Sequence, residues 1–187
     1  MKTKHQLLAW LRRAGVITIM QLALAGRPAS AAGEGFGVGS FNFACPTGWQ
    51  RVAPASSLRA AQLKVGAATG PFADVVFFQF ARGDGGDVPS NIDRWLGQFK
   101  EARDQIHSKV EARTVGKVKV TYVQAQGTYA SGMQGHEAAA LPDAMLLGAI
   151  LEGQSGNVFV KMTGPLKVVE AAAPAFRRMT EQAAQGR

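Results

Sequence analysis

The chain has 187 residues, 47 % hydrophobic and 18 % charged, which suffices for one domain with a sizeable core, is short for two, and excludes a disordered chain. Its formal charge of +8 reflects 21 Lys and Arg against 13 Asp and Glu. Five of the basic residues (Lys2, Lys4, Arg12, Arg13 and Arg27) and no acid precede residue 32, leaving 16 bases against 13 acids, or +3, so a nucleic-acid-binding reading loses its electrostatic support.

Residues 1–31 carry the three parts of a secretory signal peptide. MKTKHQLLAWLRR is basic, AGVITIMQLALA is apolar, and GRPASAAG places Ala29 and Ala31 in an A-x-A arrangement, which predicts cleavage after Ala31. The apolar run Ala14 to Ala25 falls far short of the ~20 residues a membrane span needs. No transmembrane anchor is therefore expected after cleavage, and the protein is expected in a periplasm or in the secreted space. The Arg12-Arg13 pair fits an ordinary basic n-region. Cys45 is the only cysteine, which excludes an intramolecular disulfide; it reads as a buried, hydrophobe-like thiol, with an intermolecular disulfide as the second reading.

The Gly-rich residues 32–40 read as a flexible lead-in, and residues 41–187 as a single domain. FNFACPTGWQRV predicts two short extended pieces around a Pro-Thr-Gly turn, anchored by Phe41, Phe43 and Trp49. LRAAQLKV, Leu58 to Val65, has no clean apolar face and reads as an edge strand. DVVFFQFA is almost continuously apolar, the pattern of a central strand covered on both faces. KVEARTV and KVKVTYVQAQGTYA flank Gly116 as a hairpin, and Ala130 to Ala144 reads as a long irregular connection. MLLGAILE, a GQSGN turn and VFVKMTG form a second hairpin. In the closing helix, Val169, Ala172, Phe176, Met179 and Ala183 share one arc, with Pro174 on the polar side expected to kink or split it. The fold class is α+β: a predominantly antiparallel sheet of about six or seven strands with two main helices packed on it.

The stretch RGDGGDVPSNIDRWLGQF is the one place that resembles a ligand loop. A calcium loop beginning at Asp84 would put Gly86, Val88 and Trp95 where oxygen ligands belong. A dinucleotide fingerprint lacks its third glycine, and Asp84 and Asp87 would repel a pyrophosphate. The stretch therefore reads as a strand-to-helix turn in which Pro89-Ser90 starts a helix. Ile92, Trp95, Leu96, Phe99 and Ala102 form its apolar arc, making Trp95 a core residue rather than a stacking platform. Asn91, Arg94 and Gln98 line the adjacent polar strip and are candidate ligand or partner contacts, together with His136 in the long connection.

Catalytic patterns are missing. His136-Glu137 lacks the second histidine of H-E-x-x-H, Gly153-Gln154-Ser155-Gly156 is one residue short of a nucleophile elbow, and Cys45, His107 and His136 have no metal-ligand spacing. No catalytic residue, metal site or cofactor is expected. Lys109, Arg113, Lys117 and Lys119 cluster at a hairpin, where charge protects a strand edge.

The piece Pro46, Gly48, Trp49 (P-x-G-W) between extended segments comes before an edge strand, a central strand, a helix, antiparallel strands and a closing helix. This order resembles the Mog1/PsbP-like α/β/α sandwich superfamily over about Phe41 to Ala184. The superfamily includes small exported bacterial proteins of the DcrB type and photosynthetic oxygen-evolving accessory proteins. The resemblance implies helices on the faces of a sheet and a non-catalytic accessory role, and it transfers no site residues. The expected function is that of an exported, non-enzymatic accessory protein whose partner is another envelope or secreted protein. The alternative is a small-ligand carrier with a pocket between sheet and helix, and an unrecognised hydrolase is the third reading.

Overall fold

The computed structural model describes residues 35–67, 69–130 and 140–186. Strands β1 (Gly35–Val38) and β2 (Phe41–Ala44) pair as a two-stranded antiparallel sheet. Seven further strands follow: β3 (Gln50–Val52), β4 (Ala61–Gly66), β5 (Phe72–Gln79), β6 (Lys109–Val115), β7 (Val118–Tyr129), β8 (Leu141–Gly153) and β9 (Gly156–Pro165). They form one antiparallel sheet in the order β3-β4-β5-β9-β8-β7-β6. Helix α1 (Val88–Leu96) lies between β5 and β6 in sequence, and α2 (Leu166–Gln185) closes the chain. The α+β class follows directly.

Strand alternation divides the core into two layers. Val158, Val160 and Met162 of β9, with Met145, Leu147, Ala149 and Leu151 of β8, face Val169, Phe176 and Met179 of α2. The β1–β2 sheet joins this layer, where Phe36 and Phe43 pack edge-on against Phe77 with ring centroids 5.1 and 5.0 Å apart. On the opposite face Phe159, Leu146, Ile150 and Val123 lie beneath Trp95, Leu96 and Phe99. β8 and β9 are therefore covered on both sides, which explains their nearly unbroken apolar sequence. Each fully buried Phe or Leu contributes roughly 1.5–3 kcal/mol by area removed from water.

The α2 stripe expected from periodicity is the buried one, and Pro174 sits exposed inside a helix that continues through it without splitting. Four local expectations are corrected. Gly35–Val38, read as part of the lead-in, forms β1, with Phe36 and Val38 buried on alternate positions. The strand read as an edge is internal: β4 lies between β3 and β5, and the three-residue β3 is the edge. Helix α1 ends at Leu96, with Gly97 as its C-cap, so Ala102 is not on it. Leu141–Ala144, read as loop, opens β8. The proposed signal peptide, residues 1–31, lies outside the described residues. Among the described residues no helix is long and apolar enough to cross a membrane.

Candidate functional site

Helix α1 has nine residues, which makes it about 14 Å long and ~10 Å wide. Seven strands spaced ~4.8 Å apart span about 29 Å, so α1 cannot cover its face of the sheet. Trp95 seats it over β8 and β9, against Phe159 at a centroid distance of 6.3 Å. Among the described residues none covers the β4–β5 half of that face, which forms a cavity of about 370 Å³.

Cross-strand register defines the cavity floor. Val76 on β5 is opposite Lys161 on β9, and Lys161 is opposite Gly148 on β8. Phe78 and Phe159 form the adjacent row on one side, and Asp74 and Thr163 the row on the other. Lys161 is thus a charged residue on the middle strand of the sheet. Its Nζ donates to Gln98 Oε1 at 3.0 Å and to Tyr129 Oη at 3.1 Å, and Tyr129 Oη donates to Gln98 Oε1 at 3.1 Å. The ammonium also lies 5.7 Å from the Tyr129 ring centroid. Among the described residues no carboxylate forms an ion pair with it. An ammonium carries three donors, and two are committed to neutral acceptors here.

The partners of Lys161 are themselves fixed by backbone pairing. Ala130 N donates to Gln98 O at 2.8 Å, Lys100 N to Thr128 O at 3.0 Å, and Phe99 bridges to Tyr129. Glu101 closes this corner, its two oxygens accepting from Thr128 N at 2.8 and 2.9 Å. Those bonds hold the Glu101 carboxyl below its ordinary pKa. The bend at Gly127 (φ 154°) brings β7 so close to this carboxylate that a Cβ there would lie 2.7 Å from Oε2.

At the far end of the cavity Gln62 stands between opposite charges. Its Oε1 accepts from Arg59 Nη1 at 2.9 Å and its Nε2 donates to Asp74 Oδ1 at 2.9 Å. Val76, Phe78 and Leu141 supply apolar surface between the two polar ends. A larger groove of about 570 Å³ lies on the other side of the sheet, between α2 and β4. It is lined by Trp49, Val65, Pro71 and Val168, and Lys167 is its single charged lining residue. Convergent polar groups mark the smaller cavity as the candidate site.

No protein-family model matches the sequence, and a search of curated proteins found no match. Among solved structures, cyanobacterial PsbP (CyanoP) from Synechocystis sp. PCC 6803 superposes with a TM-score of 0.50 at 11 % identity, over 84 % of this chain and 95 % of that one. The fold is Mog1/PsbP-like. PA94, a Pseudomonas aeruginosa protein of unknown function, aligns over 79 % of this chain and 93 % of its own at 13 % identity, with a TM-score of 0.41 that carries no argument.

Within this PsbP-like sandwich the residues of the expected polar strip separate. Asn91 is buried: its Nδ2 donates to Gly85 O at 2.7 Å and to Asp87 O at 2.8 Å, tying the Gly-rich turn to the helix. Arg94 is exposed and donates to Asn91 Oδ1. Gln98, beyond the end of α1, is the one of the three that bonds to cavity-lining residues, Lys161 and Tyr129. His136 lies outside the described residues. Sequence reasoning placed neither Lys161 nor Tyr129 in a site, although a single charge in the otherwise apolar run VFVKMTG was a visible signal. It also missed the capping role of Asp87, whose side chain accepts from Ser90 N at 2.7 Å as the N-cap of α1. Cys45 is a buried thiol with Sγ 3.5 Å from Trp49 O. Among the described residues no cluster of three or more His, Cys, Asp or Glu is placed to hold a metal ion.

Proposed function

We propose that the chain is an exported accessory protein of the cell envelope or secreted space that acts by binding rather than by catalysis. The open β4–β5–β9 half of the α1 face is its binding surface. The observation that carries this reading is Lys161, an ammonium at the middle of the sheet, steadied by Tyr129 and Gln98 and bordered by the apolar floor of an open cavity. The leader-like residues 1–31 support export, and the superfamily resemblance supports an accessory role. The test uses the full chain expressed in an exporting bacterium. Mass spectrometry of the exported form should give a chain beginning at Ala32. A photo-crosslinker at Thr163 should then capture a defined envelope or secreted partner that the same group at Lys117, on a remote hairpin, does not. Equal capture at both positions would remove the assigned surface, and retention of residues 1–31 would remove the export reading.

A second reading, a small-ligand carrier, is favoured by the volume of the same cavity. About 370 Å³ lies at the lower end of the roughly 300–1,000 Å³ typical of ligand pockets. Mass spectrometry of the native exported protein decides it, since a carrier retains a stoichiometric small molecule and a protein-binding accessory factor does not.

A further inference from the structure

We infer that the cavity on the α1 face takes a small amphipathic monoanion, a carboxylate with a short apolar body, whose charged end is gripped by Lys161. This inference rests on the small-ligand reading of that cavity and assigns its ligand class.

The chemistry follows from what each end of the cavity has left to offer. At the Arg59 end the charges are already arranged internally, because Gln62 accepts from the guanidinium and donates to Asp74. At the Lys161 end the ammonium meets, among the described residues, only neutral oxygens, those of Gln98 and Tyr129. Arg59 and Lys161 against Asp74 leave the described lining residues with one excess positive charge, which favours an anion over a neutral or cationic ligand. Between the ends the floor is Val76, 5 % exposed, and Phe78. A ligand that laid an apolar body on Val76 and Phe78 and pointed a carboxylate at Lys161 would satisfy both regions. A charge-assisted hydrogen bond from a lysine already oriented by two acceptors is among the stronger polar contacts available to a small ligand.

The position of the lysine supports a role in recognition. Lys161 shares its cross-strand row with Val76, Gly148 and Val123, where an apolar residue would pack without desolvation cost. The sheet does not use the charge in an ion pair among the described residues.

The experiment is an NMR titration of the full-length protein with three matched probes: octanoate, 1-octanol and octylamine. Octanoate should shift resonances of Val76, Phe78 and Thr163, and should bind at least tenfold more tightly than 1-octanol or octylamine. Lys161→Met keeps the length and apolar stem of the side chain. It should weaken octanoate by tenfold or more and leave 1-octanol unchanged, while Lys161→Arg should retain most of the octanoate affinity. Gln98→Met leaves the lysine in place and loosens it, so a smaller loss of octanoate affinity is expected, which keeps the test decisive should Lys161→Met fail to fold. Equal binding of octanoate and octanol, undiminished octanoate binding by Lys161→Met, or shifts elsewhere in the molecule would each overturn the assignment. Binding of no probe would overturn it as well, while the crosslinking result at Thr163 would still decide the accessory reading.

Discussion

The indole of Trp95 lies directly over the backbone of Gly148, so closely that a Cβ at position 148 would stand 2.6 Å from Cε3 and nearer still to Cζ3. Gly148 belongs to β8, a strand otherwise crowded with Leu, Met and Ile, and its missing side chain makes the seat into which α1 fits. Gly148→Ala should therefore act as an overpacking substitution, costing about 1–3 kcal/mol. Urea unfolding of Gly148→Ala, Trp95→Leu and the double variant would show it: the cost at position 148 should shrink once the indole is gone. An equal cost in both backgrounds would mean that the contact is not the cause.

Asn91 provides a contrasting case, a polar residue whose work is internal. Asn91→Ala leaves the carbonyls of Gly85 and Asp87 without their side-chain donor and should destabilise by about 1–3 kcal/mol. Arg94→Ala, on the exposed side of the same pair, should change stability by no more than about 0.5 kcal/mol. Thermal unfolding of the two variants side by side tests the distinction, and comparable losses would contradict it.

Two carboxylates, Glu101 and Asp87, should lend the protein a defined acid sensitivity. Glu101 is held below its ordinary 4.5 chiefly by hydrogen bonding from Thr128, and Asp87 below 3.8 by hydrogen bonding from Ser90. For a depressed carboxyl the stabilising contribution is complete above the ordinary value and disappears as pH falls through the lower, folded one. A carboxyl-detected NMR titration of the folded protein should place both midpoints below those ordinary values. Amide protection of Thr128 should fall over the same pH range and be insensitive to pH in Glu101→Gln. A Glu101 midpoint at or above 4.5 would rule the account out.

At alkaline pH the sign reverses for Tyr122. Burial raises its pKa above the ordinary 10.0, opposed by the hydrogen bond with Thr180. The hydroxyl lies 3.1 Å from Thr180 Oγ1, and the guanidiniums of Arg177 and Arg113 stand 4.6 and 5.5 Å from the ring centroid. A raised pKa contributes stability that is intact below the ordinary value and lost as pH rises through the folded one. Phenolate absorbance of Tyr122→Phe against wild type should show that a step with its midpoint above 10.0 is lost with position 122. The substitution itself should cost about 1 kcal/mol, because Thr180 Oγ1 keeps its bonds to Phe176 O and Arg177 O.

The parts of the fold that could be read from sequence are those in which a single period runs unopposed. The stripe of α2 and the β8–β9 hairpin are examples, each apolar because a neighbouring layer covers it. What escaped depends on partners distant in sequence. Gly35–Val38 looks featureless until Phe36 is placed against Phe77. Leu58 to Val65 looks like an edge because Gln62 and Lys64 interrupt its pattern, yet Gln62 is buried between Arg59 and Asp74, where its polarity is satisfied. Asp87 was read for its charge against a ligand, and its role as an N-cap depends on where the helix begins. At the site, Gln98 was found by helix periodicity even though it lies past the helix end. Lys161 and Tyr129 were missed because their meeting requires β7 and β9 to lie on either side of β8.

The pairing of β5 with β9 sets the order in which this protein can be completed. Residues 74–79 pair with residues 158–163, while β6, β7 and β8 are all made in between. Until β9, which begins at Gly156 of 187 residues, exists, β5 is a bare apolar edge, and closing the sheet requires contacts of long sequence separation, which slow folding. A chain cut before Gly156 should therefore aggregate rather than fold as a smaller domain. On the export route proposed above, a central strand supplied near the end delays compaction until passage across the membrane is almost over.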